Sequence, residues 1–520
     1  MRNRKNTPST GQFPVRHQDH KKPVTRRDFL AQGFLSGLGI AVGPSLLGLL
    51  GAMPKAYAAE CAGLTPPALN RIPFICFDLA GGANIAGSNV IVGGPGGQAD
   101  FASVTAVGYR KLGSLALPTT VDTRLGLAFH PQSALLEGIF EKAKNPVITT
   151  RTNGAVFCTR SNDDTSNNPL NPMYGIARAG SKGRLSSTTL IGTKNSLSGG
   201  NSVGPGSMNV ETLSVKTVSN ASQATGLVDT GKLGSLLGAN TGGALRVMEA
   251  VERISAAKSG QISEAQVVKD ILGCSYTDTA TQVRTSSDTS KLNPISDPKI
   301  IGGTDLNSVT HLPIFTAAEI GNSGNGNFRK TAAIMKLVVD GHVGAGTVEL
   351  GGYDYHDGNR INGENKDKEA GRCIGAVLEY ASRLNKPVMI YVYTDGGVSS
   401  NGTPDAAAGG KPQWTSDNGS TAAAFFLVYN PNGVTSIKQQ IGYFTNTGSV
   451  FTGTATVKAS VTSNNVTQLS EAIVLNYLAL HGSPAVGTFG TILPMQGLGS
   501  STVWDQYIAA GQLNLTGVAL

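Results

Sequence analysis

The sequence predicts an α/β fold in which a largely parallel β-sheet is flanked by helices, and three observations support this prediction. Short, fully apolar runs alternate along the chain with segments whose apolar residues recur at helical spacing. Several of the apolar runs end in glycine and a short polar residue, as strands do where open α/β sheets bind their ligands. Only 15% of the 520 residues are charged and 67 are glycine, which indicates an ordered protein with long loops.

Two strands and a helix are predicted in the first part of the chain. Residues 72–79 form an apolar run that leads into the glycine turn of IPFICFDLAGGAN. The segment HPQSALLEGIFEKAK, which begins at His130, has helical spacing of its apolar residues and a basic end. The apolar residues of NPVITTRT, 145–152, predict the next strand. This order of strand, long loop, helix and strand is typical of an α/β domain.

The same rhythm returns in the second half. Helices are predicted at 328–341, 366–385 and 465–482, and strands at 347–352, 387–397 and 422–431. Between the two halves the composition shifts to Ser, Thr, Asn and Gly, with helices predicted at 242–258 and 263–273. We therefore predict four segments: a leader at 1–58, the first part of the α/β core at 59–180, an insertion or cap at 181–327, and the rest of the core with the C-terminal region at 328–520.

The leader has the features of a twin-arginine export signal. TRRDFL, 25–30, carries the paired arginines, a moderately apolar run follows, and Ala56-Tyr57-Ala58 fits a small-x-small cleavage site. An N-terminal membrane anchor is the alternative, but the many glycines of the apolar run make it a poor permanent span. We predict cleavage, no stable membrane span afterwards, the twin-arginine translocase as partner during export, and a periplasmic or secreted bacterial protein.

Net charge and cysteines agree with this prediction. The chain carries +8, but residues 1–58 contain nine Lys or Arg and two Asp, so the remainder carries only +1. A nearly neutral chain has no general attraction for nucleic acid, which is therefore not an expected partner. The five cysteines are odd in number and widely spaced, so they predict no disulfide framework, and the apolar surroundings of Cys76 and Cys373 predict buried thiols.

Short polar residues beside glycines mark four places as candidates for a site. They are Asp78 and Asn84 after the first strand, Asp354 and His356 in LGGYDYH, Asp395 in TDGG, and Asp417 and Asn418 in TSDNGS. If the strands lie side by side, these groups converge at one edge of the sheet, and a cation would offset the repulsion between their carboxylates. A hydrogen-bonded turn without metal is the alternative at each place, since Asp-Asn-Gly has strong turn chemistry.

The ordered set of a twin-arginine leader, strand-GG-A-N, the AFHP helix, CTRSNDD, LGGYDYH, strand-TDGG and SDNG resembles a family of uncharacterised exported bacterial proteins. That family has a domain of unknown function placed in the alkaline phosphatase and sulfatase superfamily. The similarity covers roughly residues 72–180 and 328–482, and LGGYDYH is its most specific part. The resemblance implies an alkaline-phosphatase-like sheet and a metal-dependent hydrolase of phosphate or sulfate esters.

The resemblance also implies a set of ligands. Asp354 and His356 match an Asp and a His of the family, and Asp417 matches the Asp of an Asp-His pair. Asn418 stands where that pair has His, and Asn84 stands where the glycine turn usually has Asp, although Asp78 is close enough in sequence to replace it. Asp395 stands where Glu is common.

These departures replace imidazole by oxygen ligands, and hard cations prefer oxygen. The resemblance and the ligand types together predict a divalent metal, with calcium favoured and magnesium or zinc as alternatives. The Cys-x-Pro/Ala-x-Arg nucleophile pattern of sulfatases is absent, because Cys158-Thr159-Arg160 does not fill it.

The candidate catalytic residues are in CTRSNDD. Ser161 matches a Ser that precedes His in the family, and here Asn162 replaces that His. Ser161 or Thr159 would attack the ester, and Arg160 would pair with the anionic substrate. A loop or helix cap is the alternative for this segment. The non-catalytic alternative for the whole chain is an exported protein of secretion or cell-surface assembly, with a degenerate site. A nucleotide-dependent oxidoreductase is disfavoured because no dinucleotide fingerprint follows the first strand.

Overall fold

The structure is a computed structural model, and it describes part of the chain. The described ranges are residues 72–90, 92–93, 109–110, 121–161, 168–185, 188–208, 214–227, 289–303, 312–354, 359–405, 409, 411–417, 423–435, 438–444, 449–453 and 460–518. All of them belong to one compact unit formed by residues 65–236 and 281–520. The predicted export signal and the predicted helices at 242–258 and 263–273 lie outside these ranges.

Strands and helices are numbered along the described ranges. The strands are β1 (Phe74–Ala80), β2 (Val92–Gly93), β3 (Tyr109–Arg110), β4 (Asp122–Leu125), β5 (Leu127–Phe129), β6 (Thr152–Cys158), β7 (Leu190–Gly192), β8 (Val215–Thr217), β9 (Ala345–Gly351), β10 (Val388–Tyr393), β11 (Val398–Asp405), β12 (Lys411–Asp417), β13 (Ala423–Tyr429) and β14 (Gln440–Ile441). The helices are α1 (Ile85–Ser88), α2 (Ala134–Lys142), α3 (Val147–Arg151), α4 (Met173–Arg178), α5 (Ala221–Gly226), α6 (Pro298–Ile301), α7 (Ala317–Ile320), α8 (Gly326–Val339), α9 (Arg360–Leu384), α10 (Val466–Ala479), α11 (Ser483–Val486) and α12 (Phe489–Ile492).

One sheet of eight strands organises the described part of the chain. Its strand order is β14-β6-β13-β10-β1-β9-β7-β8. Neighbouring strands pair in parallel except at β13, which is antiparallel to both β6 and β10. The other described strands form three two-stranded pairs: β11 with β12, β2 with β3, and β4 with β5. The predicted α/β fold with a largely parallel sheet is therefore confirmed.

Helices cover both faces of the sheet. In β1, Ile75 and Phe77 point to one face and pack in the core with α2, α8 and α9, whereas Phe74 and Cys76 point to the other face with α4 and α10. Every residue of β1 and β10 is buried. Strands that are buried on both faces need continuous apolar sequences, which is why these runs carry no polar alternation.

Helices α2 and α9 pack closely because glycines line their contact. A methyl group on Gly371 would overlap the carbonyl oxygen of Leu135, and one on Gly375 would overlap that of Ile139. Gly138 on α2 approaches the Lys368 carbonyl in the same way. The long helix α9 is thereby held against α2, with its N-terminal half near the loops that follow β1 and β9.

The structure differs from the sequence prediction at two places. The strand predicted at 145–152 is wrong, because residues Val147–Arg151 form α3 and the strand begins only at Thr152. A run of apolar residues this short fits a helical turn as well as a strand. The segment predicted as a cap, 181–327, contributes β7 and β8 to the main sheet, so this part of it continues the core.

Two other expectations concern thiols and membranes. Cys76 and Cys373 are buried free thiols, as predicted, and Cys158 is a third. Within the described ranges, no helix combines the length and the apolar character required to span a bilayer.

Candidate cation site at the carboxyl edge of the sheet

Two buried carboxylates lie at the carboxyl ends of neighbouring parallel strands. Asp78, near the end of β1, is level with Tyr393 of β10, and Asp395 follows Tyr393 by two residues. Both aspartates have no exposed surface. The parallel register of β1 and β10 therefore brings together two of the residues that the sequence predicted to converge.

The environment of Asp78 opposes its ionisation. Burial is the largest of the effects that raise the pKa of Asp78 to about 8, and the negative charges of Asp395 and Glu349 act in the same direction. Its Oδ2 accepts hydrogen bonds from the backbone N–H groups of Asn201 (2.7 Å) and Ser202 (3.3 Å), which act in the opposite direction. Its Oδ1 is buried and has no hydrogen-bond partner among the described residues. A cation at Oδ1 would satisfy this oxygen and offset the repulsion.

Asp395 is fastened to the glycine turn after β1. Its Oδ1 accepts a hydrogen bond from the Gly81 N–H at 2.7 Å. The neighbouring Thr394 hydroxyl donates to the Leu79 carbonyl and accepts from the Ala83 N–H, both at 2.8 Å. Gly81 adopts φ +108°, which favours glycine, so the turn that the sequence GGAN indicated is formed here.

The same turn meets the loop after β9. A side chain on Gly81 would start 3.0 Å from the Asp354 backbone nitrogen, so only glycine allows this approach. Asn84 is buried and precedes α1, whereas the Asp354 side chain is exposed. Because Gly81 lies so close to the Asp354 backbone, the loops that carry Asn84 and Asp354 are neighbours. His356 lies outside the described residues.

Ser161 reaches this edge from β6. It is buried, and its Oγ accepts hydrogen bonds from the Gly396 N–H at 3.2 Å and from the Asn168 side-chain amide. Ser161 is thus bound to the residue that follows Asp395. The Arg160 Nε–H donates to Asn464, and the Thr159 hydroxyl donates to the Thr462 carbonyl at 2.8 Å, away from Ser161.

The hairpin of β11 and β12 returns the chain to the same region. Val398, three residues after Asp395, pairs with Asp417 at the end of β12. The backbone of Asp417 therefore lies next to that of Val398, three residues beyond Asp395. The side chain of Asp417 and all of Asn418 lie outside what the structure describes.

The sequence did not single out two further parts of this edge, the loop 198–202 and the buried Asn171. The loop SGGNS, 198–202, supplies the amide donors to Asp78, and a side chain on Gly200 would start 2.6 Å from the Asp78 Oδ2. Asn171 donates its amide to the Ser198 carbonyl (3.1 Å) and to the Thr347 hydroxyl (2.9 Å), which ties this loop to β9. The signal in the sequence is Gly-Gly-Asn, the same glycine-to-amide pattern as in the GGAN turn.

The donor set suits a hard cation better than zinc. Every described candidate donor here is a carboxylate, amide or hydroxyl oxygen, which is the ligand type of calcium and magnesium. No group of three or more His, Cys, Asp and Glu side chains suited to a metal is found in the part of the chain that the structure covers. The residues present therefore fit a site in which two aspartates are supplemented by neutral oxygens.

No protein-family model matches this chain, and a search of curated proteins gives no match either.

Proposed function

We propose that this protein is an exported, cation-dependent hydrolase of phosphate or sulfate esters, with an alkaline-phosphatase-like fold and calcium as the favoured ion. The observation that carries the proposal is the pair Asp78 and Asp395, two buried carboxylates on adjacent strands, one of them with an unpartnered oxygen. Buried carboxyl groups with a strongly displaced pKa, as Asp78 has, are concentrated at functional sites. The proposal includes a periplasmic or secreted location and export by the twin-arginine translocase.

Ser161 is the residue that we assign as the nucleophile. A hydroxyl oxygen accepts two hydrogen bonds and donates one, and Gly396 and Asn168 occupy both acceptor directions. These two donors would stabilise the negative charge that the Ser161 oxygen acquires when it attacks the ester and its proton passes to solvent. A cation bound near Asp395 would polarise the ester and stabilise the charge that develops on it.

Cationic side chains at the edge support an anionic substrate. Lys330 pairs with Glu349 at 3.1 Å, and Lys366 reaches the Gly351 carbonyl at 3.4 Å, both at the end of β9. Lys194 donates to Asn201, the residue whose N–H holds Asp78. Because Glu349 offsets the charge of Lys330, the net positive charge that would attract an ester anion comes from Lys194, Lys366 and Arg160.

Metal analysis and a turnover screen test this proposal. The full chain, folded in bacterial cells, is assayed for bound metal, for calcium affinity by calorimetry, and for hydrolysis of aryl phosphate and aryl sulfate. We expect Asp395→Asn to lose the cation and Ser161→Ala to keep the cation but lose hydrolysis. Asp122→Asn is the matched control, since Asp122 is paired with Arg124 (2.7 Å) away from this edge. A native chain without divalent cation and without turnover would refute the proposal.

The alternative is a non-catalytic exported protein of secretion or surface assembly that keeps the fold and a structural ion. The observation that favours it is the contact of the Arg160 Nε–H with Asn464, because it engages the residue assigned to the substrate anion. Bound calcium without hydrolysis of either ester would support this alternative.

A further inference from the structure

A buried aspartate on α9 joins two of the loops that form the carboxyl edge. Asp367 has 1% of its surface exposed, and its Oδ2 accepts a hydrogen bond from the Asn89 side-chain amide at 2.9 Å. Burial raises the pKa of Asp367 to about 7, while the hydrogen bond from Asn89, the charge of Lys411 and the nearby Tyr353 phenol oppose that rise. Burial of a carboxylate costs free energy unless hydrogen bonds or opposite charges compensate for the lost water.

Asn89 connects Asp367 to the loop after β1. Its amide nitrogen also donates to the Asn84 carbonyl at 3.2 Å. Its amide oxygen accepts from the Ser133 hydroxyl (2.8 Å) and from the Leu135 N–H (3.2 Å) at the start of α2. Because both donors and both acceptor positions of the amide are used, Asn89 has one fixed orientation.

Tyr353 connects Asp367 to the loop after β9. Its phenol lies beside Asp367 and lowers the pKa of that carboxyl group, and its backbone N–H donates to the Ala80 carbonyl at 3.0 Å. The next residue is Asp354, whose backbone passes close to Gly81. One carboxyl group thus accepts a hydrogen bond from Asn89 of one loop and lies beside the Tyr353 phenol of the other.

We propose that Asp367 is a positioning residue that holds the Asn84 loop and the Asp354 loop at a fixed separation and so sets the cation affinity of the carboxyl edge. This inference rests on the proposed function for the identity of the ligand. Asp367 does not itself contact the ion. It acts through Asn89 and Tyr353, as residues behind metal ligands commonly do.

The test compares two buried carboxyl groups on the full chain. Asp367→Asn keeps the volume but removes the acceptor that faces two donors, and Tyr353→Phe removes one donor and is the milder variant. Glu471→Gln is the matched control, because Glu471 is also 1% exposed and lies on α10, where it accepts from Ser207 (2.7 Å) and the Gly497 N–H (2.8 Å). Hydrogen exchange of residues 81–89 and 351–354 and calorimetric titration with calcium chloride are measured for each variant.

We expect Asp367→Asn to raise exchange in both segments together and to weaken calcium binding by about 10-fold, with a smaller effect of Tyr353→Phe. The control should leave both quantities at the native value even if it lowers stability. Unchanged exchange in either segment, or native calcium affinity despite faster exchange, would overturn the inference. If the native chain binds no calcium, the proposed function fails, and the exchange in the two segments then decides whether Asp367 holds them.

Discussion

At Asp78 burial and two backbone donors act on one carboxyl group in opposite directions. Burial prevails and raises the pKa to about 8 from the ordinary value of 3.8. Between these values the folded chain keeps a proton that the unfolded chain has released. The free energy of unfolding of the metal-free protein therefore falls as the pH rises through this window.

Asp78→Asn should remove this dependence. We expect the metal-free variant to lose less stability than the native chain between about pH 5 and about pH 9, because an amide cannot ionise. Urea unfolding in the presence of a chelator measures it. In excess calcium the native chain should lose less stability than the variant over this pH range, since only the native chain gains stability by binding the ion. Equal pH slopes in the two proteins would contradict the prediction.

The titration of His481 changes the free energy of unfolding in the opposite direction with pH. Burial lowers its pKa to about 4, its Nε2 lacks a hydrogen-bond partner within the described ranges, and its ring meets Tyr477 edge-on at 5.0 Å. The unfolded chain binds a proton here before the folded chain does, so this residue destabilises the fold as the pH falls from about 6.5 towards 4.

His481→Phe keeps the aromatic contact and removes the titration. We expect the variant to lose about 1–2 kcal/mol less than the native chain between pH 7 and about pH 5. Urea unfolding at the two pH values measures this difference. A loss equal to that of the native chain would show that His481 does not contribute.

At the scale of elements, the contact between α2 and α9 depends on glycine. Gly371→Ala should lower the free energy of unfolding by about 1–3 kcal/mol, because its methyl group would overlap the Leu135 carbonyl in a packed interface. Gly226→Ala on α5 is the control, since a methyl group there meets nothing within 4 Å and alanine favours the helix. Chemical denaturation of both variants measures the effect, and equal stabilities would contradict it.

The elements also show what the sequence could predict. The apolar run at 388–393 and the run at 74–80, which is interrupted only by Asp78, indicate buried strands of a covered sheet, and the helical spacing in α8, α9 and α10 is equally plain. The short α3 was misassigned because five residues carry too little periodicity. Strands β7 and β8 have three residues each, and a Ser- and Gly-rich context hides them.

For the site, the sequence could predict the aspartates but not the residues that form hydrogen bonds with the site side chains. Strand ends and glycine turns marked Asp78 and Asp395, which share an edge through parallel pairing. The hydrogen bonds from Asn201 to Asp78 and from Asn168 to Ser161 join residues from different segments of the chain. Such contacts depend on strand order, which no local pattern in one sequence reveals.

At the scale of the whole molecule, the net charge of the predicted leader, residues 1–58, differs from that of the remaining chain. Cleavage after Ala58 would remove +7 of the +8 formal charges. We expect the protein recovered from the periplasm or medium to begin at Ala59 and to focus at a much lower pH than the precursor. Intact mass and isoelectric focusing measure this. Replacing Arg26 and Arg27 by lysine should leave an uncleaved cytoplasmic precursor, and normal export of that variant would contradict the prediction.

The reversed direction of β13 has a consequence for how this protein can diversify. Because β13 enters the sheet from the edge where β10 leaves it, the intervening β11–β12 hairpin can lengthen or shorten without disturbing strand register. Changes of this kind would alter the surface beside the carboxyl edge, while the buried Trp414 of β12, whose indole N–H donates to Ser88 at 2.9 Å, keeps the hairpin attached to α1.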